Sequence, residues 1–121
     1  MQERNVVTIE SNIPKVVAFY LPQFHENEVN NRNWGKGFTE WTNVAKAYPN
    51  FNGHYQPHVP KDLGFYNLAD IDVMSHQADL AKEYGIDAFC FYYYWFDGKI
   101  ALYKPIRNYL QSDIEFPFCI C

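Results

Sequence analysis

The sequence lacks the features that are typical of disulfide-rich, exported and membrane-embedded proteins. It contains only three cysteines, Cys90, Cys119 and Cys121, each within an apolar run, which is too few for a disulfide-stapled secreted scaffold. We therefore expect buried, reduced thiols in a cytoplasmic protein. Residues 1–15 carry charges of both signs and no long apolar stretch, so no signal peptide is visible. The longest uncharged runs, such as residues 88–96, fall far short of the ~20 residues that span a bilayer, so we expect no membrane-embedded segment.

Basic clusters and phosphate-binding loops are missing too. The net charge is -4, and no group of Lys and Arg is dense enough to neutralise phosphates, which argues against a nucleic-acid partner. The turn after the first apolar run reads Pro22-Gln23-Phe24-His25, not a glycine-rich phosphate cradle. Cys119 and Cys121 lack the paired Cys or His of a zinc site, and no serine lies in a nucleophile elbow. We expect no metal and no bound cofactor.

Aromatic residues are abundant instead. Ten Tyr, ten Phe and three Trp must pack in a core or line a site for flat, partly apolar ligands. Many of them lie in residues 23–68, which follow the first apolar run with only a short helical stretch near residues 39–46. Loops this long are uncommon and are usually functional or disordered, and the aromatic side chains favour an ordered, functional one.

Apolar runs and helical spacing alternate along the rest of the chain. They predict three adjacent parallel strands near residues 16–21, 87–95 and 116–121, with helices near 70–84 and 105–111 on one outer face. An open doubly wound sheet and a β/α barrel both fit this order. The barrel is favoured because the first turn lacks the glycine-rich pattern of the open sheet.

A β/α barrel takes about 250 residues, more than this chain supplies. We therefore expect an α/β fold that forms the N-terminal part, about three βα units, of a (β/α)8 TIM-like barrel with a long first βα loop. Residues 1–14 would be an N-terminal tail. Residues 15–121 would be an incomplete barrel domain, truncated at its C-terminus and not independently stable.

Six motifs, in this order, resemble one known family. They are Tyr20-Leu-Pro-Gln-Phe-His25, Trp34-Gly-Lys-Gly-Phe-Thr-Glu-Trp-Thr-Asn-Val-Ala45, Gly53-His-Tyr-Gln-Pro57, Asp62-Leu-Gly-Phe-Tyr66, Phe91-Tyr-Tyr-Tyr-Trp-Phe96 and Phe116-Pro-Phe-Cys119. Together they look like the opening third of the WbsX-type glycosyltransferases of bacterial surface-polysaccharide biosynthesis, which are similar to the endo-α-mannosidases of glycoside hydrolase family 99. The resemblance implies a β/α barrel and a carbohydrate substrate, with a sugar nucleotide as the donor if the reaction is a transfer.

Several loop residues are candidates for contacts with a carbohydrate. His25 follows the first strand and either shuttles a proton in the barrel mouth or hydrogen-bonds loop backbone. Trp34 and Trp41 either stack on sugar faces or hold the loop against the barrel. Glu40 either binds sugar hydroxyls and acts as an acid or base, or favours the N-terminus of a short helix. Catalytic residues are not identified by the sequence, and Glu40 and His25 are the only weak candidates.

The remaining candidates are His54, Tyr55, Tyr94, Trp95 and Asp97. His54 and Tyr55 lie in a loop that could reach the cleft. Because strand residues alternate, Tyr92 and Tyr94 share one face and Tyr93 and Trp95 the other, and the sequence leaves open which face is inward. Trp95 is the strongest candidate for a ligand contact. Asp97 either accepts a hydroxyl or begins an Asp-Gly turn, and the turn is favoured.

Four interpretations remain open at this stage. The first is a glycosyltransferase-like enzyme acting in lipopolysaccharide O-antigen or other surface-polysaccharide biosynthesis. The alternatives are a glycoside hydrolase of the endo-mannosidase type, a non-catalytic carbohydrate-binding domain and a purely structural core rich in aromatic residues. Glycosyl chemistry commonly uses two carboxylic acids about 5–10 Å apart, and only Glu40 and Asp97 are placed to reach the top face. We therefore expect the catalytic acids beyond Cys121 and an inactive fragment.

Overall fold

The computed structural model describes residues 13–121, so most of the tail expected over residues 1–14 lies outside the described residues. The strands are β1 (Val17–Tyr20), β2 (Ala88–Phe91), β3 (Tyr94–Phe96), β4 (Lys99–Ala101) and β5 (Phe118–Ile120). The helices are α1 (Glu28–Trp34), α2 (Glu40–Lys46), α3 (Ile71–Glu83) and α4 (Lys104–Leu110). Within this described range, none of the helices is long and apolar enough to cross a membrane.

Strands β1, β2 and β5 form a parallel sheet in that order, as the alternation of apolar runs and helices predicts. The register pairs Phe19 with Cys90 and Cys90 with Cys119. Both ends of helix α3 are marked by local signals. At its start the Asp70 side chain accepts a hydrogen bond from the Asp72 amide at 3.0 Å, and after its last turn Gly85 adopts a φ of 78°. The mixed α/β class and the parallel strands are thus confirmed.

One face of this sheet packs against α3 and α4. Phe91 is fully buried there, and its ring meets that of Tyr109 edge-on with 5.1 Å between centroids. The Tyr20 hydroxyl reaches across to Gln77 on α3. The core side chains come from this face of the sheet, from the two helices and from the segments beside them. They are Leu68, Met74, Ala78, Ala81, Phe89, Phe91, Ile106, Tyr109 and Phe116.

The opposite face of the sheet carries the three cysteines. All three thiols are free, but Cys119 and Cys121 are exposed and Cys90 is only half-buried, so the expectation of buried cysteines is wrong. The reason is that the helices cover only the Phe91 face within residues 13–121. Hydrogen bonding with Cys121, together with desolvation and Cys119, raises the pKa of Cys90 to about 12, which keeps this thiol protonated.

The second strand is shorter than its apolar run predicts. Strand β2 ends at Phe91, and the chain leaves the sheet to form an antiparallel hairpin from β3 and β4. Asp97 and Gly98 have φ values of 46° and 75°, the two positive values that a tight type I′ hairpin turn requires. The turn predicted from the Asp-Gly pair is confirmed, and this turn brings the chain back on itself beside the sheet.

The long loop after β1 contains two helices, not one. Helix α2 is the predicted one, and Thr39 precedes it, with the Thr39 amide donating to Thr42 Oγ1 at 3.4 Å. Helix α1 is an addition, initiated by the Asn27 side chain, which accepts from the Asn30 amide at 2.9 Å. It buries none of its residues, so it has no apolar stripe that a sequence pattern would reveal.

Asp87 joins the start of β1 to the start of β2. Its carboxylate accepts from the Val16 amide at 2.7 Å and from Lys15 Nζ at 3.2 Å, while its own amide donates to the Val16 carbonyl at 2.8 Å. The hydrogen bond from Val16, followed by that from Lys15, lowers the pKa of Asp87 below its ordinary 3.8. The ionised carboxylate is therefore the form that stabilises this strand pair.

The substitution Asp87→Ala is expected to lower the urea midpoint of unfolding at pH 7. Because the pKa of Asp87 is lower in the folded chain than in the unfolded one, its contribution is present above pH 3.8 and is lost as the pH falls through the folded-state pKa. Urea titrations of the full-length protein between pH 7 and pH 2.5 measure this. Asp113→Ala, at an exposed position outside the sheet, is the control. Identical pH profiles for the two variants would contradict the role of Asp87.

Candidate functional site

The side chains of Gln23 and Tyr94 meet beyond the carboxyl ends of β1 and β2, and Glu40 lies within electrostatic reach of them. Gln23 follows β1, Glu40 begins α2 and Tyr94 begins β3. The Gln23 amide nitrogen donates to the Tyr94 hydroxyl, and Glu40 lies near enough for its charge to act on that hydroxyl. We call these three residues the Tyr94 cluster. Sites of α/β proteins commonly lie at this edge of a parallel sheet.

The Tyr94 hydroxyl is held neutral. Burial raises its pKa, the hydrogen bond from Gln23 opposes this effect, and the charges of Tyr92, Glu40 and Cys121 add to the rise. A neutral phenol that already accepts a hydrogen bond from Gln23 still has its own proton to donate. The cluster therefore offers a hydroxyl donor at Tyr94 and carboxylate acceptors at Glu40.

A row of four rings extends on either side of Tyr94. Phe19 and Tyr92 stack with 5.6 Å between centroids, Tyr92 and Tyr94 with 6.5 Å, and Tyr94 and Phe96 with 6.2 Å. We call this row the aromatic ladder. It settles which tyrosines lie on which side: Tyr92 and Tyr94 face away from the helices, whereas Tyr93 packs against the core. The predicted pairing of Tyr92 with Tyr94 is confirmed, although the chain is not one continuous strand.

Trp95 and Asp97 do not join the Tyr94 cluster. Trp95 lies on the hairpin opposite Ile100 in β4, and 60% of its surface is exposed. Asp97 is exposed at the tip of the same hairpin, in the turn. Strand alternation directs Trp95 and Tyr94 to opposite faces of the hairpin.

The two loop tryptophans have different surroundings. Trp41 donates its indole N–H to the Tyr66 carbonyl at 2.7 Å, and its ring packs on Phe24 with 4.5 Å between centroids. Trp34 has 70% of its surface exposed and stacks on the buried Phe38 with 5.8 Å between centroids. Trp41 thus holds the long loop together, while Trp34 keeps most of its ring open.

His54 and Tyr55 contact their own loop. The His54 ring stacks on Phe51 with 4.6 Å between centroids, and its Nδ1 accepts from the Asn50 amide at 3.2 Å. Tyr55 is largely exposed and meets His58 edge-on at 4.8 Å. The structure places neither residue in the Tyr94 cluster.

His25 lies elsewhere again, in the wall of a cleft formed by residues 25–29 and 100–104. Only 1% of its surface is exposed, and its Nδ1 has no hydrogen-bond partner among the described residues. Burial, reinforced by the charge of Lys104, lowers the pKa of His25 below 6.5, and the Pro22 carbonyl only partly opposes this. The imidazole is therefore neutral near pH 7. Of the nine predicted site residues, Tyr94 alone makes a direct contact in the Tyr94 cluster, and Glu40 is the one other whose charge acts on its hydroxyl.

Comparison with known families identifies the chain. The sequence profile described as glycosyltransferase WbsX matches residues 16–121. This chain belongs to the WbsX glycosyltransferase family. The resemblance carried by the six motifs is thus confirmed, and the Tyr94 cluster lies within three of those motifs.

Two similar relatives support this assignment. Both are described as uncharacterized protein WxcX and come from Xanthomonas campestris pv. campestris. One is 53% identical over 119 residues, which cover 98% of this chain and 17% of the relative. The other, from strain B100, is 57% identical over 107 residues, which cover 88% of this chain and 15% of the relative. The chain thus spans about a sixth of the length of these relatives. No solved structure matches it.

Gln23 is the member of the Tyr94 cluster that the sequence did not predict. The signal was present, since Gln23 is a polar side chain in the turn directly after the apolar run that forms β1. Its partner lies 71 positions further along the chain. Local spacing carries no information about such a contact, so only the folded structure reveals the pair.

The substitution Trp41→Phe is expected to lower the free energy of unfolding by about 1 kcal/mol. Phenylalanine retains a ring against Phe24 but leaves the Tyr66 carbonyl without its indole donor. Urea denaturation of the full-length protein measures the loss. Trp34→Phe is the matched control, because the exposed Trp34 is expected to change stability by less than about 0.5 kcal/mol. Equal losses in the two variants would show that the Trp41 hydrogen bond does not hold the loop.

Proposed function

We propose that this chain forms the glycan-binding part of a glycosyltransferase-like enzyme. Its role would be in building a bacterial surface polysaccharide, lipopolysaccharide O-antigen or a related polymer. The observation that carries the proposal is the Tyr94 cluster, set on the aromatic ladder at the carboxyl ends of the parallel strands. Membership of the WbsX family supports the same substrate class.

The chemistry of the cluster suits a sugar. Each sugar hydroxyl both donates and accepts a hydrogen bond, so it matches the neutral Tyr94 donor and the Glu40 carboxylate. The C–H groups on the face of a pyranose ring suit an aromatic surface, which the ladder provides at its exposed end ring, Phe96. A site with both features recognises a glycan through its hydroxyl pattern and its apolar face together.

The parallel strands support a larger barrel. Strands β1, β2 and β5 with α3 and α4 on one face have the order of the first βα units of a TIM-like (β/α)8 barrel. In such a barrel the uncovered face of the sheet, with Phe19 and Cys90, would line the interior. The Tyr94 cluster would then lie at the mouth, where barrel enzymes bind their substrates.

We assign binding, and not the complete catalytic apparatus, to this segment. Glycosyl chemistry commonly needs two carboxylic acids that flank the scissile bond, and Glu40 is the one acidic residue in the Tyr94 cluster. We place the catalytic acids beyond Cys121 and take a sugar nucleotide as the donor. Three free thiols favour a reducing compartment, which leads us to propose the cytoplasm as the site of action.

Two substitutions in the full-length protein test the proposal. Tyr94→Phe retains the ring in the ladder but removes the hydroxyl donor, so glycan affinity is expected to fall about 3- to 10-fold. Glu40→Gln is expected to weaken binding while leaving measurable turnover. Labelled glycans, incubated with and without sugar nucleotides, report affinity and turnover. Tyr84→Phe and Glu83→Gln, both exposed at the end of α3, are the matched controls.

The outcomes separate the alternatives. Loss of all turnover in Glu40→Gln with unchanged affinity would place a catalytic acid in this segment. That result would contradict the proposal that this segment binds the glycan while the catalytic acids lie elsewhere in the protein. Turnover with water alone, independent of sugar nucleotides, would identify a glycoside hydrolase of the endo-mannosidase type. Unchanged glycan affinity in both variants would show that the Tyr94 cluster is not the binding site.

A further inference from the structure

An apolar groove lies beside β1, on the side of the sheet that packs against the helices. It has a volume of about 900 Å³. Its lining comes from residues 19–24 at the end of β1, from residues 62–68 of the long loop, and from the second half of α3 with the residues after it. We call this space the β1 groove.

The side chains of the β1 groove suit apolar groups of a protein segment and not a small polar ligand. Leucine and aromatic side chains predominate, and Asp62 is the one charged residue among the described residues that line it. The Tyr20 hydroxyl, a polar group of the lining, is already hydrogen-bonded to Gln77 on α3. Continuous apolar surface of this kind marks a place where another segment or protein packs.

The backbone of β1 also has a free edge. Strand β1 ends the order β1-β2-β5, so within residues 13–121 only one of its edges is paired. The carbonyls of Val16 and Tyr20 accept hydrogen bonds from amides at the two ends of β2, at 2.8 and 3.1 Å. Because backbone groups alternate along a strand, the amides and carbonyls of Val17 and Phe19 point to the unpaired edge. Such an edge is a template for a further strand.

The topology indicates which kind of segment covers this edge. Strands β1, β2 and β5 lie in chain order, and α3 and α4 pack on the same face. In an open doubly wound sheet the strand order reverses and helices cover both faces. Strands that add in one direction, with their helices on one face, instead close into a barrel, where a later parallel strand pairs with the first one. The relatives have the length for this, since the chain spans about a sixth of them.

We propose that the free edge of β1 and the β1 groove form an intramolecular docking site for a parallel strand and an amphipathic helix from the later part of the full-length protein. The helix would fill the groove against Leu63 and Leu80, and the strand would pair with the unpaired backbone groups of β1. The carboxyl end of that strand would then lie beside the turn that carries Gln23, next to the Tyr94 cluster. This inference rests on the barrel arrangement of the proposed function but not on its ligand.

Hydrogen–deuterium exchange of the full-length protein, resolved to single amides, tests the strand. The amides of Ala18 and Tyr20, which face β2, are the internal reference. The amides of Val17 and Phe19 are expected to exchange within about 10-fold of this reference, and faster exchange would show an open edge and overturn the proposal. Removal of residues 1–12 and dilution of the protein are both expected to leave the protection unchanged. Loss of protection on removal would assign the edge to the N-terminal segment, and loss on dilution would assign it to a second copy; either result would overturn the proposal.

A photo-crosslinking side chain tests the groove. In the full-length protein, Leu63→p-benzoylphenylalanine, at a half-buried position of the groove, is expected to crosslink within one chain to a peptide from beyond residue 121. The same replacement at His76, which is exposed on α3 and lies outside the groove, is the matched control and is expected not to capture that peptide. A crosslink from position 63 to residues 1–12, to a second copy or to no peptide would contradict the docking site. The glycan affinity of Tyr94→Phe tests the Tyr94 cluster alone, so the two proposals fail separately.

Discussion

Burial of Phe89 and Phe91 against α3 and α4 decides where the other sheet residues lie. Because side chains alternate along a strand, this contact directs Cys90 and Tyr92 to the opposite face. Tyr92 then stacks between Phe19 and Tyr94, which extends the same face beyond the end of β2 into the hairpin. The apolar contacts of the core therefore place the polar hydroxyl of Tyr94 beside Gln23.

The long loop after β1 keeps its position through aromatic contacts and not through a core of its own. Trp41 packs edge-on against Tyr66 at 5.0 Å and on Phe24, and the Leu68 amide donates to the Phe24 carbonyl at 2.9 Å. These contacts tie the end of the loop to its beginning. Since Glu40 immediately precedes Trp41 in α2, the same contacts fix the backbone of Glu40. The many aromatic residues of the sequence thus hold the long loop in place as well as forming the aromatic ladder.

Local sequence signals were sufficient for the parallel strands and for α3 and α4. Asp70, Gly85 and Pro105 mark helix ends through caps and fixed backbone angles, which depend only on nearby residues. The end of β2 was not predictable in this way, because residues 88–96 carry no charge and the exit from the sheet depends on the hairpin turn. Helix α1 has no apolar stripe, and the contact between Gln23 and Tyr94 joins distant segments. In each of these three cases, the contact that determines the structure is not visible in the local sequence pattern.

The hairpin of β3 and β4 places Tyr94 because both of its ends are tied to the rest of the fold. The amide of Tyr92 donates to the last carbonyl of β1 at 3.1 Å, so the chain that enters the hairpin is still fixed to the sheet. The turn at residues 97–98 returns the chain antiparallel and pairs Tyr94 with Ala101. Helix α4, which contributes to the core, begins three residues after Ala101. Tyr94 is therefore held between the sheet and a core helix, and Gln23 meets a hydroxyl whose position the surrounding fold determines.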